Sequence, residues 1–253
     1  MTSNRPLRRP IPKLVKRRMR RSSVLAAALL MGVVILDAAA QSGAGTIKGH
    51  VRLSGKLPGN PVVRMGVDPK CSQLNAGKRV VDERVAAALD GSLANVFVKL
   101  DGTFPSTPVP KAPVLIEQRA CVYAPRVIGL RVGQTLQIKN SDTLLHNVHS
   151  SSARNPSFNI GQPSTGLVFE YRPKAEETMM KIGCDMHRWM TAFVGVVSHP
   201  YFAVSGRGGV FTIDNVPPGI FTIRAWHEVY GLTSRKIVVK PGVITTAEFT
   251  YPL

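Results

Sequence analysis

Beyond residue 45 the chain is written almost entirely in short β-type runs. "TIKGHVRL", "ANVFVKL", "PVLIEQ", "TLQIKN", "GLVFEY", "AFVGVV", "IFTIRAW" and "TAEFTY" follow one another, each bounded by Gly, Pro, Asn or Asp. Runs of this length, rich in β-branched and aromatic residues and punctuated by turn formers, cannot sustain helices. They are the pattern of antiparallel β-sandwiches, and the expected class is all-β. The one segment that departs from it is "VVDERVAAAL" (80–89), whose spacing allows a short helix or a mobile arm.

Two Pro- or Gly-rich breaks interrupt the strands, "DGTFPSTPVPKAP" (101–113) and "SHPYFAVSGRGG" (198–209). The strands outside them look too few on either side to close a core alone. They are therefore expected to meet in one discontinuous sandwich, 41–111 with 199–253, into which 112–198 is inserted.

The N-terminus reads differently. A basic run, "RPLRRPIPKLVKRRMRRSS", leads into a 13-residue apolar stretch at 24–36 and a small-residue A-x-A site at 38–40. That is the layout of a secretory signal peptide, residues 1–40, and places the mature protein in the periplasm or otherwise outside the cytoplasm. Retention of the segment as an anchor is the alternative, although 13 apolar residues are short for a span of roughly 20. Nine of the 33 Lys+Arg and one of the 15 Asp+Glu lie before residue 41, so the remainder keeps 24 basic against 14 acidic residues. A net positive surface favours acidic partners. Nucleic acid is not among them, because the basic residues are scattered and no aromatic–basic platform accompanies them.

Three cysteines, Cys71, Cys121 and Cys184, are an odd number for an exported chain. Pairing Cys71 with Cys121 would leave Cys184 as a single thiol, protected if it binds a metal. A bridge closing that loop would contribute about 4 kcal/mol in the chain-entropy picture. Connectivity itself is not fixed by sequence.

Cys184 stands in "CDMHRWM", with His187 and Met190 following at intervals of three, between two strand-like runs. Upstream, "IKNSDTLLHNVHSS" sets His146 at the start of another run. One thiolate, two imidazoles and a weak axial thioether form the ligand set of an electron-transfer copper site; zinc prefers four strong tetrahedral ligands. The expected ligands are His146, Cys184, His187 and Met190. His149 falls on the opposite face of a strand from His146 and is read as a non-ligand, with replacement of His146 as the alternative. His50, His199 and His227 have no metal-type spacing.

These residues carry a resemblance. The segment 112–198 is similar to the cupredoxins, small blue copper proteins of the plastocyanin and amicyanin type, through "PRVIGLRVGQTLQIKNSDTLLHNV" and the C-x2-H-x2-M loop. The resemblance implies one type 1 copper ion, with Asn147 tying the two ligand loops together and His187 nearest the surface as the electron exit. Arg188 and Trp189 would form a docking rim there, or Trp189 would be packed inside. Met186 departs from the family, filling a position that is often proline. The outer segments, with "GTIKGHVRL" and "GVFTIDNVPPG", resemble the carboxypeptidase regulatory-like, transthyretin-like β-sandwich. Exported proteins of this combined layout look like those labelled plastocyanin-like or methylamine-utilisation-like.

The resulting expectation is a single-electron carrier serving a redox protein, an acidic cytochrome or dehydrogenase, with no enzyme activity and no membrane-spanning segment of its own once mature. A β-sandwich binding module with a structural or copper-storage site is the alternative. A copper enzyme would call for extra histidines, commonly His-x-His pairs, and the chain has none.

Overall fold

The computed structural model describes residues 43–252. The signal-type segment 1–40 lies outside the described residues. Strands dominate, and the described residues are all-β apart from one 3-10 turn at Met65–Val67 and one short helix, α1 (Pro69–Leu74).

The N-terminal strands β1 (Gly45–Ser54) and β2 (Phe97–Asp101) flank the helix in sequence. The middle of the chain supplies β3 (Val114–Arg119), β4 (Val122–Ala124), β5 (Val127–Arg131), β6 (Leu136–Asn140), β7 (His146–Ser151) and β8 (Asn159–Gln162). It continues with β9 (Val168–Tyr171), β10 (Glu177–Gly183) and β11 (Thr191–Val197). The C-terminal set is β12 (Phe202–Val204), β13 (Val210–Val216), β14 (Gly219–His227), β15 (Gly231–Val239) and β16 (Ile244–Pro252).

These strands make four sheets, ordered β13-β1-β16, β12-β2-β14-β15, β5-β11-β10-β7-β8 and β4-β3-β6-β9. The first two enclose one core, in which Ile47, Val51, Val98, Leu100, Phe211, Ile223 and Phe249 are buried. The last two enclose another, built on Ile116, Leu130, Leu136, Ile138, Met180, Ile182 and Val194. The strands alternate as half-buried strands must: Gly45, Ile47, Gly49, Val51 and Leu53 all point inward along β1. Most pairs are antiparallel, but β1 with β16, β5 with β11, and β3 with β6 run parallel. The β1–β16 pair joins the two ends of the described chain, so the outer core closes only after the middle segment has been passed.

A third, smaller core lies where the two sandwiches meet. In β11, Ala192, Val194 and Val196 face the second core, whereas Phe193 and Val197 face outward onto Phe97, Phe202 and Trp226. This two-sided burial explains why "AFVGVV" reads as a continuous apolar run rather than an alternating one. The contact depends on two glycines that are register partners, Gly129 in β5 and Gly195 in β11. A methyl group on Gly195 would stand 2.4 Å from the Phe97 ring, and one on Gly129 would stand 2.5 Å from Phe202. Absence of a side chain lets the two phenyl rings lie flat on the sheet. Beside them, the Arg126 guanidinium donates to Glu228 at 2.9 Å and pairs with Asp82 at 3.0 Å, tying β5 to the outer strands.

One expectation is corrected here. Residues 80–89 form no helix; they run in extended and bend conformations, with isolated bridges from Val81 to Val62 and from Ala87 to Leu93. Their apolar residues divide between different neighbours, so helical periodicity has no single face to serve. The short helix is instead α1, started by Asp68, whose carboxylate accepts from the Lys70 and Cys71 N–H groups ahead of Pro69 at the first helical position. It packs on the second core through Cys71, next to Met65 of the preceding 3-10 turn. No helix among the described residues is long and apolar enough to cross a membrane.

Gly195→Ala is expected to lower stability by about 1–3 kcal/mol through overpacking against Phe97, read as a shift in the urea midpoint at unchanged slope.

Candidate metal centre

Strands β7, β10 and β11 are neighbours in one sheet, and this adjacency assembles the site. His146 is the first residue of β7. Cys184 follows immediately on the end of β10, and Met190 immediately precedes β11. The intervening loop 184–190 is held in a tight turn by the Met190 N–H donating to the His187 carbonyl at 2.8 Å. Strand pairing of Gly183 with both His149 and Thr191 fixes the loop base against β7.

The result is a compact donor set. His146 Nδ1 and His187 Nδ1 are 3.0 Å apart, and Cys184 Sγ is 3.7 Å from His187 Nδ1. One donor atom from each of the three residues lies within 4.8 Å of the others. All three side chains are buried, His146 completely. Met190 is buried in the same core and shares a solvent-reaching hollow with Cys184.

What lies behind the imidazoles decides which nitrogens face inward. His146 Nε2 meets Asp142 Oδ2 at 2.9 Å, and His187 Nε2 meets Asp68 Oδ2 at 2.9 Å. A carboxylate accepts only, so each Nε2 donates its hydrogen, and in a neutral ring Nδ1 is left with a lone pair. Two lone pairs 3.0 Å apart repel, and the arrangement calls for a shared proton or a metal cation between them. This is the carboxylate–imidazole–metal pattern in which an outer acid fixes tautomer and ring orientation.

Cys184 is prepared in the same way. Burial alone would push its thiol up, but hydrogen bonds from His146, the Asn147 N–H and His187 bring it down to about 7. For His146, burial favours the neutral ring, yet Asp142 and the Cys184 sulfur raise it to about 9. The two shifts are mutual: the His146 ring favours the thiolate, and the thiolate favours the protonated ring. The Asp142 carboxyl, which burial would raise, is held below the usual range by His146 and by the Cys121 and Ala120 N–H groups.

Asn147 links the two ligand segments. Its N–H lies 3.5 Å from Cys184 Sγ, its side-chain oxygen accepts from the Asp185 N–H at 2.6 Å, and its amide nitrogen donates to Asp185 Oδ2 at 2.9 Å. His149 points the other way, exposed, and pairs with Asp185 Oδ1 at 2.9 Å. It is not part of the donor set.

Cys71 and Cys121 form a disulfide, with Cα atoms 5.7 Å apart, leaving Cys184 as the free thiol. The bridge joins the two elements that carry the outer acids' contacts. Cys71 lies on α1 beside Asp68, and Cys121 lies in the β3–β4 turn whose N–H groups Asp142 accepts. Ala120 and Cys121 both adopt positive φ, 51° and 57°, a conformation unfavourable for residues with a Cβ and held here by that double hydrogen bond.

The exposure of His187 is corrected. It is 3 % exposed, not nearest the surface. Asp68 covers its Nε2, Cys71 Sγ approaches to 3.4 Å, and the Trp189 ring lies 5.2 Å from its own. Trp189 is half-buried, donates to the Cys121 carbonyl at 2.9 Å, and lines a cavity of about 520 Å³ between the sandwiches; Arg188 is exposed. Asp68 and Asp142 were not singled out by sequence, although signals exist. "SDTLLH" places an acid four residues before His146, and "DPKC" carries a helix-start signature beside Cys71.

No protein-family profile matches the chain, and no curated protein matches it. Among solved structures, a purple cupredoxin from Nitrosopumilus maritimus is similar at 27% identity, over 32% of this chain and 97% of that one, with a TM-score of 0.29. A point mutant of amicyanin in its Cu(I) form is similar at 16% identity over 39% of this chain and 97% of its own, with a TM-score of 0.30. A copper-containing nitrite reductase from Thermus scotoductus is similar at 16% identity over 38% of this chain and 24% of its own, with a TM-score of 0.32.

Replacing both Cys71 and Cys121 by Ser is expected to cost about 2–5 kcal/mol, measured by chemical denaturation of the oxidised wild type beside the variant.

Proposed function

We propose that this chain is an exported single-copper electron carrier, with a cupredoxin-like sandwich, 112–198, set into a discontinuous outer sandwich formed by 41–111 and 199–253. The observation that carries the reading is the approach of His146 Nδ1 and His187 Nδ1 to 3.0 Å beside the buried Cys184 sulfur. The donor set fits copper: one sulfur, two imidazole nitrogens, and the buried Met190, which borders the same hollow as the sulfur. His146, Cys184, His187 and Met190 are the residues that would hold the ion, with Asn147 supporting the geometry. Bound there, copper supplies a one-electron couple, since thiolate and thioether favour the reduced ion and imidazole serves both states.

The chain's own contribution is to make a change of charge cost little rearrangement. Asp142 and Asp68 fix both rings, the Asn147 N–H supports the sulfur, and burial excludes water. Three ligands sit next to strand ends of a packed sheet, so their positions do not depend on a mobile loop. The absence of His-x-His pairs favours a carrier over a copper enzyme. The net positive charge beyond residue 40 favours an acidic redox protein as partner, either a cytochrome or a dehydrogenase, with association weakening as salt rises.

Copper-loaded protein lacking residues 1–40 is expected to show an intense blue-to-purple thiolate–copper band and reversible one-electron voltammetry. Cys184→Ser should abolish the band. A protein that takes up only zinc and stays colourless would support the structural or storage alternative instead. Asp142→Asn is expected to weaken copper binding about ten- to a hundredfold, measured by competition with a chelator of known affinity.

A further inference from the structure

Resting on the electron-carrier reading, the geometry points to the Cys184–Met190 side of the centre as the partner-docking face, and to an acidic protein surface as its occupant. Access differs among the three sides of the donor set. On the first, His146 is fully buried, with Asp142 and the β3–β4 turn behind it. On the second, His187 is closed by Asp68, the Cys71–Cys121 bridge and Trp189. On the third, a hollow of about 500 Å³ opens to solvent, and Cys184 and Met190 form part of its wall. A partner seated in the hollow lies against the wall to which buried Cys184 and Met190 contribute.

The charge around that hollow is net basic. Lys181 and Arg188 line it, both are exposed, and neither has a carboxylate within 4.0 Å among the described residues. The acid there, Asp185, is already engaged by His149, Asn147 and Asn159. Met186 is 59 % exposed on the same loop, giving the face an apolar point beside its basic rim. Apolar contact framed by uncompensated cations suits a partner presenting carboxylates around a small apolar patch. The cavity at Trp189 is the competing route, but its acids Asp82 and Glu83 already pair with Arg126 and Arg207, and it reaches the donor set only through the indole.

The test uses the full mature chain loaded with copper and two small anionic probes. Hexacyanochromate(III), a paramagnetic trianion, is titrated into the Cu(I) form while amide signals are followed by NMR. Broadening is expected at 149–151 and 181–191, and should vanish in the double variant Lys181→Glu, Arg188→Glu. Hexacyanoferrate(III) then takes one electron from the reduced protein, becoming hexacyanoferrate(II). Its second-order rate should fall at least tenfold in the double variant at low salt, with the absorption band and melting temperature unchanged. Broadening centred on α1 or the Trp189 cavity, or spread evenly, overturns the docking face, as does an unchanged rate. A wild-type protein without the thiolate–copper band would instead overturn the electron-carrier reading, and the docking face with it.

Discussion

Two carboxylate–imidazole contacts, Asp142 to His146 and Asp68 to His187, govern the site. Each consumes the outer nitrogen of a ring and so determines that, in a neutral ring, the inner nitrogen presents a lone pair. Without them, either ring could flip or change tautomer, and the approach of the two Nδ1 atoms would have no reason to persist. The carboxylates are themselves tied down. Asp142 accepts two backbone N–H groups of a strained turn, and Asp68 caps the start of α1. The Cys71–Cys121 bridge then fastens turn and helix to each other. The outer shell is therefore cross-linked covalently, whereas the donor set is not.

Rigidity in the sheets serves the same end. The sheet carrying β7, β10 and β11 is packed on both faces for part of its area: by its own core on one side, and by Phe97 and Phe202 on the other. Gly129 and Gly195 make the second contact feasible by leaving the sheet surface flat beneath the two rings. The outer strands thus act on the site from behind, by holding β5 and β11, while Asp68 and Cys71, from the stretch between β1 and β2, reach the His187 ring directly. Covering His187 has a different consequence. It buries the imidazole as deeply as the Cys184 sulfur, so a feature of the N-terminal segment closes one side of the site.

The strands were legible because period-two burial and turn residues are local properties. "TLQIKN" and "TIKGHVRL" each announce one buried face, and the structure gives β6 and β1 that alternation. "VVDERVAAAL" misled because its spacing is compatible with a helix while its neighbours are not. Val81 bridges to Val62, and Ala87 bridges to Leu93, so the segment is recruited as edge pairing by parts of the chain close in space. α1 was overlooked for the opposite reason: six residues are too few to show periodicity, and only its cap announces it. The exposure of His187 could not be read at all, since its cover comes from Asp68, 119 positions earlier.

Sequence by itself determined the all-β class, the ligand-type residues at 146, 184, 187 and 190, and the cysteine count that leaves one thiol over. These follow from residue chemistry and from spacings of a few positions. Tertiary structure bore out the expected pairing of Cys71 with Cys121, and it alone decided that two aspartates hold the outer nitrogens of the imidazoles and that Asp68 covers His187. Each of those depends on strands and loops far apart in the chain arriving at one place, and pairing across such distances is set by packing, not by any local run of residues.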